Sequence, residues 1–294
     1  MTTPPFPSPS GAARAFAHHE AMTPALLPRP AFDFHRGRVP LLVSMPHVGT
    51  ELPPCLQGRL SEACEPLGDT DWHLPRLYDF VEALGASTLI ARYTRFAVDL
   101  NRPPDDAPLY AGATTGLHPD VLFDGTPAFH PGRGLTASER TAFMAEAWQP
   151  YHAQLAGELA RLRERHGYAL LFDAHSIAGE IPRLFEGALP DFNIGTADGR
   201  SADAGLSRRL AALIEDDGRY RLAVNGRFKG GYITRHYGDP ATGIHAVQLE
   251  LAQRTYMRER APFDYLAEKA DAIRPLLRDF LETMIAWGTE RLSR

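Results

Sequence analysis

Short apolar runs alternate with amphipathic segments along the chain from residue 39 onward. The apolar runs predict buried strands, and segments with an apolar residue at every third or fourth position predict helices that pack on them. We predict strands at Val39–Ser44, Ser87–Ala91, Tyr168–Phe172, Tyr220–Val224 and His245–Leu251. We predict helices over about residues 71–84, 138–166, 201–216 and 263–291. The alternation predicts an α/β fold of three layers, with a mostly parallel, twisted sheet between helices.

Two segments lack this alternation. Residues 1–35 are rich in proline and alanine, and we expect them to form a loosely held N-terminal arm before a single domain over residues 36–294. Residues 99–134 are dense in glycine, proline and aspartate and have no clear period. A loop of this length inside a compact domain is usually either a functional cover or disordered.

Composition narrows the classes of function. The 294 residues are 44% hydrophobic and 23% charged, which is typical of a globular protein. Acidic residues outnumber basic ones, giving a net charge of -5, so the chain lacks the excess of basic residues that is typical of proteins that bind nucleic acid. The sequence has no apolar run long enough to span a membrane and no secretory signal, so we expect a cytoplasmic protein without a membrane partner. Histidine is abundant, with 12 residues, and it is the most common metal ligand in proteins.

Histidines follow two of the predicted strands. His47 comes after the first strand, and Asp173 and His175 come after the third. Ligands of open α/β sheets bind beyond the carboxyl ends of the strands, so both histidines are candidates for a site at that edge. Asp173 lies two residues before His175 and faces the same way in extended backbone, so we expect it to support His175 or to be a ligand itself.

Carboxylates could complete a metal site with these histidines. Asp69 and Asp71 precede or begin the predicted helix over residues 71–84, where one of them could cap the helix and leave the other free as a ligand. Two histidines, one carboxylate and an open position are typical of a catalytic zinc. Glu250 lies within an apolar strand, where a charge is costly unless it is paired or functional. Glu250 is therefore a candidate general base.

Arginines supply candidate groups for binding an anion. They occur over residues 92–102, at Arg183 and over residues 227–235. Because arginine holds a carboxylate through two parallel hydrogen bonds, two arginines could clamp a small dicarboxylate. The side chains that we expect to bind substrate are Arg95, Asn101, Arg102, Arg183 and Arg235.

Six segments of the chain together resemble the N-formylglutamate amidohydrolases. They are SMPHVGTELP, DTDWHLPRLYDF, GASTLIARYTRFAVDLNRP, LLFDAHSI, NGRFKGGYITRHYG and VQLELAQRTYM, in this order between about residues 38 and 260. The resemblance implies hydrolysis of N-formyl-L-glutamate to formate and L-glutamate, a step of histidine degradation. It also implies a fold similar to that of zinc-dependent exopeptidases and amidases.

The resemblance assigns roles by position. It implies that His47, Asp71 and His175 hold a divalent metal, with zinc as the expected ion. It also implies that Glu250 is the base. The carboxylate ligand in the relatives is commonly glutamate, whereas here Asp69 and Asp71 compete for the place.

Two other functions fit the same residues. One is a related zinc amidase or exopeptidase that acts on another N-acyl amino acid or a peptidoglycan fragment, and the other is a non-catalytic binding protein for acidic amino acids.

Overall fold

A seven-stranded mixed sheet organises the computed structural model, which describes residues 25–109 and 112–292. The strands are β1 (Phe32–His35), β2 (Leu41–Met45), β3 (Ser87–Ala91), β4 (Ala169–Ile177), β5 (Phe192–Gly195), β6 (Leu222–Val224) and β7 (Ile244–Ala252). Their order across the sheet is β1-β3-β2-β4-β7-β5-β6. Strand β1 runs antiparallel to β3 and β5 runs antiparallel to β7, while the other adjacent pairs are parallel. The prediction of a mostly parallel α/β sheet is confirmed.

Helices pack on both faces of this sheet. They are α1 (Leu74–Leu77), α2 (Ala137–Phe143), α3 (Gln149–His166), α4 (Ala204–Asp217), α5 (Tyr232–Tyr237) and α6 (Ala267–Leu292). A short π-helical segment, Met144–Trp148, joins α2 to α3, so the predicted helix over residues 138–166 is one rod with a change of pitch inside it. Among the helices of the described residues, none is long and apolar enough to cross a membrane.

The structure differs from the prediction in several segments. The helix predicted over residues 71–84 is only one turn, because His73 has a left-handed backbone with φ of 64° and the chain beyond Leu77 continues as turns. Strands β1 and β5 were not predicted, since each has four residues and lacks a long apolar run. The last four residues of the predicted arm, Phe32–His35, pair with β3 as the edge strand. Residues 1–24 of that arm lie outside the described residues.

An apolar core fills the space between the sheet and the helices on each face. On one face, side chains of β2, β4 and β7 such as Phe172 and Leu249 pack against α1, α4 and α6. On the other face, Leu171 and Ala246 pack against the apolar side of α3. Side chains alternate between the faces of a strand, so Asp173 and His175 share the α3 face with Leu171. Polar groups are therefore brought to the α3 face at the carboxyl end of the sheet.

Candidate active site

The candidate site lies where β2, β4 and β7 end side by side. His47 follows β2 by two residues, and His175 stands directly opposite Glu250 in the parallel register of β4 and β7. Two residues earlier on each strand, Asp173 is opposite Gln248. Strand β4 runs on to Ile177, so Asp173 and His175 lie inside the strand and not after it as the sequence suggested. The side chains that were predicted to meet at this edge of the sheet do so.

The two histidines and Asp71 form a group that could hold a metal ion. One ligand atom from each of His47, Asp71 and His175 lies within 4.8 Å of the others, and all three residues are buried. Asp71 Oδ2 is 3.0 Å from His175 Nδ1 and 3.9 Å from His47 Nδ1. The backbone N–H of Asp71 donates to the carbonyl of His47 at 3.0 Å, which ties the two segments together. Both imidazoles therefore present Nδ1 to the same carboxylate.

The other nitrogen of each imidazole contacts a second carboxylate. His47 Nε2 lies 2.6 Å from Asp99 Oδ1, and His175 Nε2 lies 3.1 Å from Asp173 Oδ2. A carboxylate behind a histidine fixes the orientation of the ring and raises the basicity of the nitrogen that faces the metal. Asp99 was not singled out in the sequence, although it opens the long loop that follows β3. Asp173 takes the supporting role, one of the two roles expected for it.

The two histidines differ in their surroundings. Arg95 Nη2 donates to Asp99 Oδ2 at 2.5 Å, and Arg95 together with His47 holds the pKa of Asp99 well below its usual range although burial alone would raise it. Burial, with a further contribution from Arg95, lowers the pKa of His47. Burial alone would also lower the pKa of His175, but Asp173 and Asp71 raise it well above its ordinary value. The site thus has more buried negative charge than Arg95 can balance.

Charge and donor atoms at this site fit a bound cation. Two imidazole nitrogens and one carboxylate oxygen are a ligand set for a divalent transition metal. Asp173 Oδ1 is buried and has no hydrogen-bond partner among the described residues. Such a group is costly in a site of low dielectric unless positive charge lies nearby.

Glu250 faces this group from β7. Its side chain is buried, and burial raises its pKa to about 8, with a smaller contribution from the negative charge of Asp71. Positive charge on His175 and Arg95 acts in the opposite direction. The backbone carbonyl of Glu250 accepts from Asn193 Nδ2 at 3.1 Å, which anchors this position to β5. Glu250 is a carboxyl group whose proton affinity depends on the charge placed beside it.

The structure distinguishes Asp69 from Asp71. Asp71 belongs to the group with the two histidines, whereas Asp69 Oδ2 accepts the backbone N–H of Phe123 at 2.7 Å. Burial raises the pKa of Asp69 to about 6. Neither aspartate caps α1, whose N-cap residue is His73. Asp69 therefore anchors the long loop over residues 99–134 to the site.

A cleft of about 580 Å³ opens beside these residues. Of the predicted substrate-binding side chains, Arg95, Asn101 and Arg102 line it. Arg183 and Arg235 are not among its lining residues, and they donate to the backbone carbonyls of Phe123 and Gly230 instead.

Other cleft residues are not in the expected substrate-binding set, among them Arg227, Gln248 and an apolar wall of Phe123, Ile177, Leu184 and Phe228. For Gln248, strand alternation from Glu250 was a usable signal, because both residues face the same side of β7. Arg227 lies within the arginine-bearing segment over residues 227–235, but nothing in its local sequence separates it from Arg235.

The chain is similar to known proteins over most of its length. The family model for N-formylglutamate amidohydrolase matches residues 39–257. A protein of Pseudomonas aeruginosa named N-formylglutamate deformylase is 58% identical over 261 residues, which cover 89% of this chain and 98% of that protein. A Pseudomonas putida protein of the same name is 54% identical over 262 residues, with the same coverage of each chain.

Two solved structures have a similar fold. The crystal structure of N-formylglutamate amidohydrolase from Ralstonia eutropha has a TM-score of 0.75 and 25% identity, and the match covers 89% of this chain and 98% of that chain. The structure of a protein from Agrobacterium tumefaciens has a TM-score of 0.67 at 16% identity, covering 90% of this chain and 97% of that chain, and it supports the fold alone.

The Arg95–Asp99 ion pair generates a prediction about stability. We expect Arg95→Met to lower the free energy of unfolding by about 3 to 5 kcal/mol at pH 7, because it leaves the Asp99 carboxylate buried without its counter-charge. In the variant, burial raises the pKa of Asp99 above its unfolded value, so stability is recovered as pH falls through that pKa towards about 4. Urea denaturation at pH 7 and pH 4.5 measures the difference from the wild type.

A matched control is Arg209→Met, which breaks the exposed pair with Glu290. Both side chains of this pair are exposed to water, and the Glu290 carboxylate stays solvated in the variant, so we expect little change in stability at either pH. A deficit in Arg95→Met that is equal at the two pH values, or no larger than that of the control, would contradict the assigned role of the buried pair.

Proposed function

The chain belongs to the N-formylglutamate amidohydrolase family, and on that premise we propose that it hydrolyses N-formyl-L-glutamate to formate and L-glutamate with a bound divalent metal, preferably zinc. The convergence of His47, Asp71 and His175 opposite Glu250 is the observation that carries this proposal. We further propose that the enzyme acts in the cytoplasm, in the degradation of histidine. The cellular location and the place in histidine degradation rest on the family resemblance.

His47 Nδ1, His175 Nδ1 and Asp71 Oδ2 would hold the metal. Zinc with three protein ligands and an open position polarises a carbonyl group and lowers the pKa of a water molecule towards neutrality. Asp99 and Asp173 keep the two rings turned so that Nδ1 faces the site. The ligands must be deprotonated to bind, so we expect metal affinity to fall as the pH is lowered.

Glu250 moves the protons of the reaction. It accepts a proton from the attacking water as the water oxygen bonds to the formyl carbon. It then returns this proton to the amide nitrogen as the carbon–nitrogen bond breaks, which releases formic acid and the amine of glutamate. Transfer of the second water proton from formic acid to the amine gives formate and the ammonium form of L-glutamate. A divalent cation held beside Glu250 would add to the effect of His175 and Arg95 and lower the pKa of Glu250 from its raised value of about 8, so that the carboxylate form would be available at neutral pH.

Arg102 and Arg227 are the side chains that we propose for the two carboxylates of the substrate. Both line the cleft, and both are oriented by oxygen atoms of the surrounding loops. Arg102 Nε donates to Thr115 O at 2.8 Å, and Arg227 Nε donates to Leu184 O at 2.7 Å. The apolar wall lies in the same cleft and suits the methylene groups of glutamate. Arg95 is already engaged by Asp99, so we assign it to support of His47.

Substitution of the base gives a first test. We expect Glu250→Gln to lower kcat by roughly a hundredfold or more, because glutamine cannot accept the proton. The metal content should equal that of the wild type, since Glu250 is not in the ligand group. Steady-state assays with metal analysis of the same samples measure both quantities. Glu164→Gln on the exposed side of α3 is the control; near-wild-type activity of Glu250→Gln would refute the assignment of the base.

A substrate panel tests the specificity. We expect the wild type to prefer N-formyl-L-glutamate to N-formyl-L-aspartate, N-formyl-L-glutamine and N-acetyl-L-glutamate. Arg102→Gln and Arg227→Gln should each lower kcat/KM for N-formyl-L-glutamate by roughly 10- to 100-fold, as expected for a lost hydrogen bond to a charged group. Arg183→Gln is the comparison variant: Arg183 does not line the cleft and reaches it only through the carbonyl of Phe123, so we expect a smaller loss.

The alternatives predict other results in the same panel. Faster turnover of a different N-acyl amino acid or of a peptidoglycan fragment would favour a related amidase. Binding of N-formyl-L-glutamate without turnover, in protein supplied with zinc, would favour the binding protein. A larger loss in Arg183→Gln than in Arg102→Gln and Arg227→Gln would contradict the proposed arginine pair.

A further inference from the structure

Leu100, Asn101 and Arg102 form a short segment that separates the candidate site from α3. The backbone carbonyls on either side of Asn101 are held by two side chains from the π-helical turn and α3. His152 Nε2 lies 2.9 Å from Leu100 O, and Trp148 Nε1 donates to Arg102 O at 3.0 Å. Neither His152 nor Trp148 lines the cleft. The segment is thus fixed from behind by groups that do not reach the substrate.

Asn101, between these carbonyls, touches the candidate metal site. Its Nδ2 lies 2.9 Å from His175 Nε2 and donates to Asp173 Oδ2 at 3.2 Å. Its Oδ1 accepts the backbone N–H of Ile233 at 2.7 Å. A Cβ atom at Gly231 would lie 2.4 Å from Asn101 Nδ2, so this position of the amide requires glycine there. A small movement of the segment would therefore disturb the support of His175.

His152 and Trp148 form a rigid unit. Their rings stack with centroids 3.9 Å apart, and the ring of Tyr237 lies nearly parallel to that of His152 with centroids 5.8 Å apart. Burial lowers the pKa of His152 to about 4, so the ring is neutral at physiological pH and carries one N–H. A carbonyl can only accept, so this proton is on Nε2, and Nδ1 accepts from the Tyr237 hydroxyl at 2.9 Å.

The π-helical segment accounts for the placement of Trp148. An extra residue in one turn rotates the side chains that follow it relative to a regular helix, and such segments are frequent at functional sites. Here the segment ends at Trp148, so the indole and the imidazole one turn later both face the loop. The change of pitch inside the long rod is thereby connected to the geometry of the site.

We propose that Trp148 and His152 are positioning residues for the proposed hydrolysis: they fix the carbonyls of Arg102 and Leu100 so that Asn101 holds Asp173, the carboxylate beside His175, and Arg102 stays on the wall of the cleft. The part of this proposal that concerns turnover rests on the proposed function. The part that concerns the loop does not, because it depends only on the hydrogen bonds described above.

The test uses conservative variants of the full chain. Trp148→Phe retains an aromatic ring and loses the N–H donor, His152→Leu loses the donor, and His152→Gln retains a donor of similar reach. The matched control is Trp287→Phe, a buried tryptophan of α6 that packs on His245 outside the cleft. Amide hydrogen exchange of a peptide spanning residues 99–103 is measured together with kcat, KM, zinc content and Tm.

We expect Trp148→Phe and His152→Leu to speed exchange in this peptide and to raise KM for N-formyl-L-glutamate, each by roughly five- to tenfold, the factor for one neutral hydrogen bond. Zinc content and Tm should match those of the Trp287→Phe control, and His152→Gln should recover most of the loss. Exchange and KM equal to those of the control would overturn the proposal, as would a loss of activity that only follows Tm. If the wild type does not hydrolyse N-formyl-L-glutamate, the proposed function fails, and the exchange comparison still decides whether the two side chains hold the loop.

Discussion

Buried charge at the carboxyl edge of the sheet is the constraint on which the rest of the site depends. Four buried acids lie there in the largely apolar interior of the protein: Asp71, Asp99, Asp173 and Glu250. Arg95 is the permanent cation buried among them. An uncompensated buried charge costs several kcal/mol, so each carboxylate must be paired or protonated, or must face a cation. Asp99 is paired with Arg95 and His47, Asp173 with His175, and Asp71 lies between the two imidazoles. A divalent ion would supply the positive charge that these pairs leave missing.

The long loop over residues 99–134 connects this charge pattern to the substrate cleft. It begins with Asp99, continues with Asn101 and Arg102, and returns to the cleft wall at Phe123. Asp69 holds the backbone at Phe123, and the ring of Phe123 lies 4.7 Å from the guanidinium of Arg95. The loop supports a histidine, lines the cleft and is itself fixed by neighbouring elements. A change in one of its anchors is therefore expected to act on substrate binding through the wall of the cleft.

The sequence was informative where chemistry coincided with regular structure. The ends of β2 and β4 can be found from apolar runs, so the sequence alone predicts that His47 and His175 are neighbours. The alternation of β7 placed Glu250 on one face in the same way. The residue patterns offered Glu250 as a candidate base and a zinc site with either Asp69 or Asp71, and the family resemblance added the substrate and the choice of Asp71.

Features that depend on contacts between distant segments could not be predicted. Strands β1 and β5 are too short for a periodic signal, and their pairing with β3 and β7 defines them. The separate roles of Asp69 and Asp71 are set by which segment each side chain meets, Phe123 or the two histidines. The same holds for Arg227 and Arg235, which lie eight residues apart in one segment while only Arg227 lines the cleft.

The central claim is that the group of His47, Asp71 and His175 holds the divalent metal on which hydrolysis depends. Its most direct test is the hydrolysis of N-formyl-L-glutamate by protein stripped with a chelator and then titrated with zinc, with metal content measured at each point. The account predicts negligible turnover in the stripped protein and recovery that saturates at about one zinc per chain, with His175→Ala failing to recover. Full activity at less than about 0.1 metal ion per chain would contradict it.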